Sequence, residues 1–114
     1  MAKAKLPNAL ERRHVIERDL APAQALRLAE AYLGEKRVVE ALVFLHKARA
    51  EDRLREIGEG AVRDGDVFLM RQVATLLGTS IAADAWRAAA AAAEECGKAR
   101  YAADAARQAS RQGA

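Results

Sequence analysis

Apolar residues recur at three- and four-residue intervals along nearly the whole chain, and glycines or small polar residues separate the runs. Leu10, Val15 and Ile16 mark a short helix over residues 9–18, entered from Pro7 and Asn8. Asp19 is placed as the N-cap of the next helix, with Pro22 in its first turn. That helix carries Leu26, Leu28, Ala29, Tyr32 and Leu33, and Gly34 stands where a helix ends. Val38, Ala41, Leu42, Leu45 and Ala48 define residues 38–50. Residues 51–64 form a further segment closed by Gly65, and Asp66 caps 67–77, which Gly78 closes. Thr79 and Ser80 are expected to cap residues 81–96, ended by Gly97. Residues 98–109 are the last helix, and 110–114 read as a tail. Connections of two to four residues predict antiparallel neighbours.

Composition narrows the class. Only five residues are aromatic (Tyr32, Phe44, Phe68, Trp86 and Tyr101), much of the apolar content is alanine, and there are only two prolines. That starves the chain of β-formers, so an all-α fold is expected. A length of 114 residues suits a single domain over 1–114. Cys96 is the single cysteine, so no internal disulfide can form, and an inert, buried or half-buried thiol is expected. No apolar run follows the basic N-terminal residues as in a signal peptide, and the six alanines at 88–93 are far too short to span a membrane. A cytoplasmic protein without membrane contact is the expectation.

The chain also repeats itself. Residues 22–50, 51–79 and 83–111 superpose at offsets of 29 and 32 residues. The first has Leu28-Ala29, Tyr32, Ala41, Leu45 and Ala48. In the second stand Leu54, Ile57-Gly58, Ala61, Gly65, Met70, Ala74 and Leu77. The third has Trp86, Ala89-Ala90, Ala93, Gly97, Ala102, Ala106 and Ala109. A pattern recurring at this period is the mark of a repeat architecture. The small residues Ala29, Gly58 and Ala90 would let two helices approach closely; Gly58 costs about 1 kcal/mol of helix propensity, which close packing there would offset.

This pattern resembles the tetratricopeptide repeat. Trp86 stands in the tryptophan position of the third unit, Ile57-Gly58 in the Leu-Gly positions of the second, and Leu28 with Tyr32 in the Leu and Tyr positions of the first. Ala41 and Ala48, and Ala102 and Ala109, occupy the alanine positions of the second helices. The units are shorter than the family's, and none closes on a proline. The resemblance implies a right-handed α-solenoid of three helical hairpins preceded by one N-terminal helix in residues 1–21. It also implies a scaffold or adaptor role.

The sequence offers no catalytic constellation. His14 and His46 lack a metal-spaced partner, and adjacent Glu94 and Glu95 point about 100° apart on a helix, too divergent to share a proton-transfer task. No phosphate-cradling glycine loop is present. The expectation is a non-enzyme with no cofactor and no metal. Binding is expected on the first helix of each hairpin, whose outward positions are Ala23, Leu26, Glu30 and Leu33, then Asp52, Arg55, Glu59 and Arg63, then Asp84, Arg87, Ala91, Glu94 and Glu95. Six acids against three arginines make that surface mildly acidic, suited to a basic peptide or helix from another protein. Partner-binding candidates are therefore Glu30, Arg55, Glu59, Arg63, Arg87, Glu94 and Tyr101. Tyr101 enters because it and Ala105 lie on a side of the last helix that no later helix covers, which predicts partner docking or a homodimer through the C-terminal hairpin. An inward side of Ala99, Ala102, Ala106 and Ala109 is expected. A net charge of +3 resides in the two ends, +2 over residues 1–19 and +3 over 96–114 against −2 between them. Nucleic-acid association through those ends is the alternative reading; with no face that concentrates Lys and Arg together with aromatics to stack bases, basic solvated ends are the favoured account.

Overall fold

The computed structural model describes residues 6, 8–17 and 20–113. Seven helices account for them: α1 (Ala9–Glu17), α2 (Pro22–Gly34), α3 (Val38–Lys47), α4 (Glu51–Asp64), α5 (Val67–Leu77), α6 (Ala83–Glu95) and α7 (Ala99–Gly113). No strand occurs among the described residues. The chain divides into two compact units, one ending at Leu54 and the other running from Arg55 onward.

The helix ends follow one device. Arg37 N–H donates to Tyr32 O at 2.9 Å, Ala50 to Leu45 at 3.0 Å, Asp66 to Ala61 at 2.8 Å, Thr79 to Ala74 at 3.0 Å and Lys98 to Ala93 at 2.8 Å. Each is the six-to-one bond that closes a helix through one left-handed residue. Those residues are Lys36, Arg49, Gly65, Gly78 and Gly97, with φ between 57° and 74°. Glycine marks the last three as expected, whereas Gly34 stays helical and the closure falls on Lys36 instead. Its position follows from Arg37, whose guanidinium lies 4.9 Å from the Tyr32 ring centroid and pairs with Glu40.

Caps are reciprocal where the side chains allow it. Asn8 Oδ1 accepts from Glu11 N–H at 2.9 Å and its amide donates back to Glu11 Oε1 at 2.9 Å. Asp66 Oδ1 accepts from Leu69 N–H at 3.1 Å, as anticipated. Two expected caps are corrected. The N-cap of α2 is Ala21, and Asp19 lies outside the described residues, as do the side chains of His14, Val15 and Ile16. At α6 the N-cap is extended Ala82 rather than Thr79 or Ser80. Ile81 packs on the apolar cluster and holds the linker extended, so the helix starts two residues later. The expected C-terminal tail is helical through 113, because no proline interrupts it and Gly113 is its first glycine.

In the first unit α2 and α3 pack together. Tyr32 and Phe44 are buried and stack with centroids 5.5 Å apart and planes 7° from parallel. Arg12 on α1 and Arg37 both pair with Glu40 on α3. The hydrogen bond from Arg37, helped by Arg12, holds the Glu40 carboxyl below the usual carboxylate range. The Tyr32 hydroxyl is buried without a hydrogen-bond partner among the described residues. Desolvating an unpaired hydroxyl is costly. Tyr32→Phe keeps the ring stack and should raise stability by about 1 kcal/mol. Thermal denaturation checks this, and a lower melting temperature would mean that the hydroxyl finds a partner.

The second unit is built on Ala61, Val67, Met70, Trp86, Ala89, Ala105 and Ala109. Helix α4 meets α5 where Gly58 lies; a Cβ there would stand 3.1 Å from Val73 Cγ1. The close approach expected at Gly58 is therefore present. Helix α4 ends against α6, since a Cβ on Gly65 would lie 2.4 Å from the Ala93 nitrogen. Arg71 on α5 lies 5.3 Å from the Trp86 ring centroid and pairs with Asp104 on α7 at 2.7 Å.

Candidate functional site

Two of the depressions on the second unit involve sequence-predicted residues. The first is an apolar cleft of about 250 Å³. One wall is Arg55, Gly58, Glu59 and Val62 of α4; the other is Met70, Val73, Ala74 and Leu77 of α5. Both sets follow the spacing i, i+3, i+4, i+7, so each wall is a continuous stripe down one helix face. The linker residues Thr79 to Ala82, with Ala85, close one end. Gly58 matters for the shape: with no side chain it lets α4 come close against Val73. Its polar groups are few, namely the Arg55 guanidinium, the Glu59 carboxylate and the hydroxyls of Thr79 and Ser80.

Two of the sequence-predicted residues, Arg55 and Glu59, thus flank this cleft. Both are exposed. Glu94 lines the second depression, of about 390 Å³, beside Gly97, Ala99, Ala102, Ala103 and Ala106. Arg63 and Arg87 are exposed but line neither. Arg87 pairs with Asp84 on its own helix. Glu30 is held by Arg53 at 3.1 Å, a pair that lies wholly within the first unit. Of the apolar lining, Gly58, Met70, Ala74 and Leu77 are repeat positions in the sequence, whereas Val62 and Val73 are not among them. The signal that could have revealed them is the pair of matched stripes at 55/58/59/62 and 70/73/74/77.

The last helix requires a correction. Ala105 is fully buried and Ala109 nearly so, and Tyr101 packs half-buried against the same cluster. Of the expected inward side, Ala109 is buried and Ala102 half-buried, whereas Ala99 and Ala106 are exposed. A tyrosine ring removes far more apolar area from water than an alanine methyl, so the helix turns its Tyr101 side to the core. Cys96 is likewise exposed rather than buried, because it sits in the turn after α6 where no helix covers it.

The Asp104 carboxyl is held below the usual carboxylate range, chiefly by the hydrogen bond from Arg71. Its folded value lies below its unfolded one, so the stability it adds is present above the unfolded value and is lost as pH falls through the folded one. Near neutrality the Arg71–Asp104 pair is intact.

Among the described residues no group of three His, Cys, Asp or Glu side chains could hold a metal ion, and no helix is long and apolar enough to cross a membrane. No protein family, curated protein or solved structure matches the chain.

Proposed function

We propose that this chain is a non-catalytic protein-interaction module of the cytoplasm, and that the α4/α5 cleft receives an amphipathic helix from another protein. The carrying observation is the apolar stripe Met70, Val73, Ala74 and Leu77 on α5, which faces Gly58 and Val62 of α4 at matching i, i+3, i+4, i+7 spacing, with the charges of Arg55 and Glu59 beside it. Such a groove offers a third helix a place to seat its ridge, with anchors on one face. At about 250 Å³ the cleft falls below the roughly 300–1,000 Å³ of pockets that enclose small molecules. Glu59 at its edge favours a cation beside the partner's aliphatic stripe and Arg55, one turn earlier, favours an acid, so the occupant is an amphipathic helix with a base set against Glu59.

The tetratricopeptide-like solenoid belongs to this reading, and two features support it. The closing residues Lys36, Gly65 and Gly97 are separated by the same 29 and 32 residues as the sequence windows. Equivalent positions are also buried together: Ala25, Leu54 and Trp86; Tyr32, Ala61 and Ala93. A right-handed array of three hairpins behind α1 is the arrangement these regularities favour.

Panning a displayed library of helical peptides against the full chain tests the cleft. Enriched peptides should carry two aliphatic residues one turn apart with a neighbouring lysine or arginine. Glu59→Lys should turn the preference toward acidic neighbours, and Ala74→Glu should abolish enrichment. Enrichment indifferent to both substitutions would move the site elsewhere.

A further inference from the structure

The second helices of the three windows differ in bulk, and α7 carries alanine at each of four equivalent positions. At equivalent positions α3, α5 and α7 carry Val38, Val67 and Ala99; Ala41, Met70 and Ala102; Phe44, Val73 and Ala105; and Leu45, Ala74 and Ala106. The buried triplet Phe44, Val73 and Ala105 states the trend most clearly. Helix α7 meets the core through the methyl groups of Ala105 and Ala109, and Tyr101 is its one large apolar contact, half-buried. Apolar adhesion scales with the area removed from water, so two methyl groups and one half-buried ring give α7 little of it.

What fixes it instead is polar and near the surface. Asp104 takes the guanidinium of Arg71, which lies over the Trp86 ring, so one arginine joins α5, α6 and α7. The Asp104 side chain keeps about a fifth of its area exposed and that of Arg71 nearly half. The connection into α7 is short, and Gly97 turns it at φ 74° with open space where a Cβ would stand. Lys98 is anchored at the near end, its ammonium donating to Asp64 O at 2.9 Å.

From this we infer that α7 is a displaceable latch, which leaves the second unit as one body, pivoting at Gly97, and bares the Trp86 face while α4, α5 and α6 stay folded. The inference is independent of the cleft, whose walls contain no residue of α7. Amide hydrogen exchange on the full chain at neutral pH tests it. Amides across residues 100–112 should exchange together, at least about tenfold faster than those of α6, because sub-global opening precedes global unfolding. Asp104→Asn should accelerate α7 by about tenfold more and leave α6 unchanged. Ala102→Met, which restores the residue that α5 carries at this position, should slow α7. Exchange that fades gradually from residue 113 inward would reduce the latch to ordinary end fraying and overturn it. Equal protection of α6 and α7, or equal acceleration of both by Asp104→Asn, would also overturn it.

Discussion

Trp86→Ala should cost the protein about 3–5 kcal/mol of stability and lower its melting temperature by more than about 10 °C. The indole is 4% exposed and lies in a cluster with Met70, Ala89 and Ala105. Those neighbours sit on helices whose backbones cannot collapse far into the space, so a cavity remains and adds to the lost transfer energy. Arg71 would also lose the aromatic face over which its charge rests. Against a total of about 5–15 kcal/mol the loss is severe. Trp86→Phe should retain much of the packing and fall between the two. Thermal and urea unfolding of the three proteins measure the series, and a melting temperature unmoved by the alanine would remove Trp86 from the core.

Gly65→Ala should be nearly as damaging, by about 2–5 kcal/mol, for two separable reasons. The residue is left-handed at φ 67°, which an alanine adopts at a cost of about 1–2 kcal/mol. Its added Cβ would also stand 2.4 Å from the nitrogen and 2.6 Å from the α-carbon of Ala93, which are helix backbone and cannot rotate aside. Gly78 provides the control. It has φ 68°, yet nothing lies within 4 Å of a Cβ built there, so Gly78→Ala should show the conformational cost alone. The difference between the two midpoints in urea isolates the packing of α4 against α6. Equal losses at both sites would mean that the close approach carries no energy of its own.

These two residues show what each level of description holds. Gly65 and Gly78 look alike in sequence, each a glycine ending an apolar run, and both were read as helix terminators. Local physics is sufficient for that reading, since the closing bonds of α4 and α5 reach only five residues back along the chain. Only the fold places Gly65 against another helix, because Ala93 is 28 residues away in the chain and no local rule relates them. Lys36 and Arg49 show the converse. They take the same left-handed conformation without being glycines, so residue preference pointed to Gly34 instead.

The candidate site divides in the same way. Arg55 and Glu59 were legible as outward charges from helical periodicity, and Gly58 as a point of close approach from its repeated small-residue position. That α4 and α5 leave an apolar cleft between them depends on their separation at Val73 and on Ile81 drawing the linker across one end. Neither follows from either helix alone. Tyr101 and Ala105 were expected on an uncovered side because hairpin pairing was inferred from alanine spacing, and alanines mark two sides of α7 almost equally. Sequence alone thus determined the helices, most of their ends and the residues able to bury, because these rest on backbone preference and period over neighbouring residues. Tertiary structure alone decided which side of α7 turns inward, where Gly65 is confined and where a cleft remains, because those depend on which surfaces meet and on the area each contact removes from water.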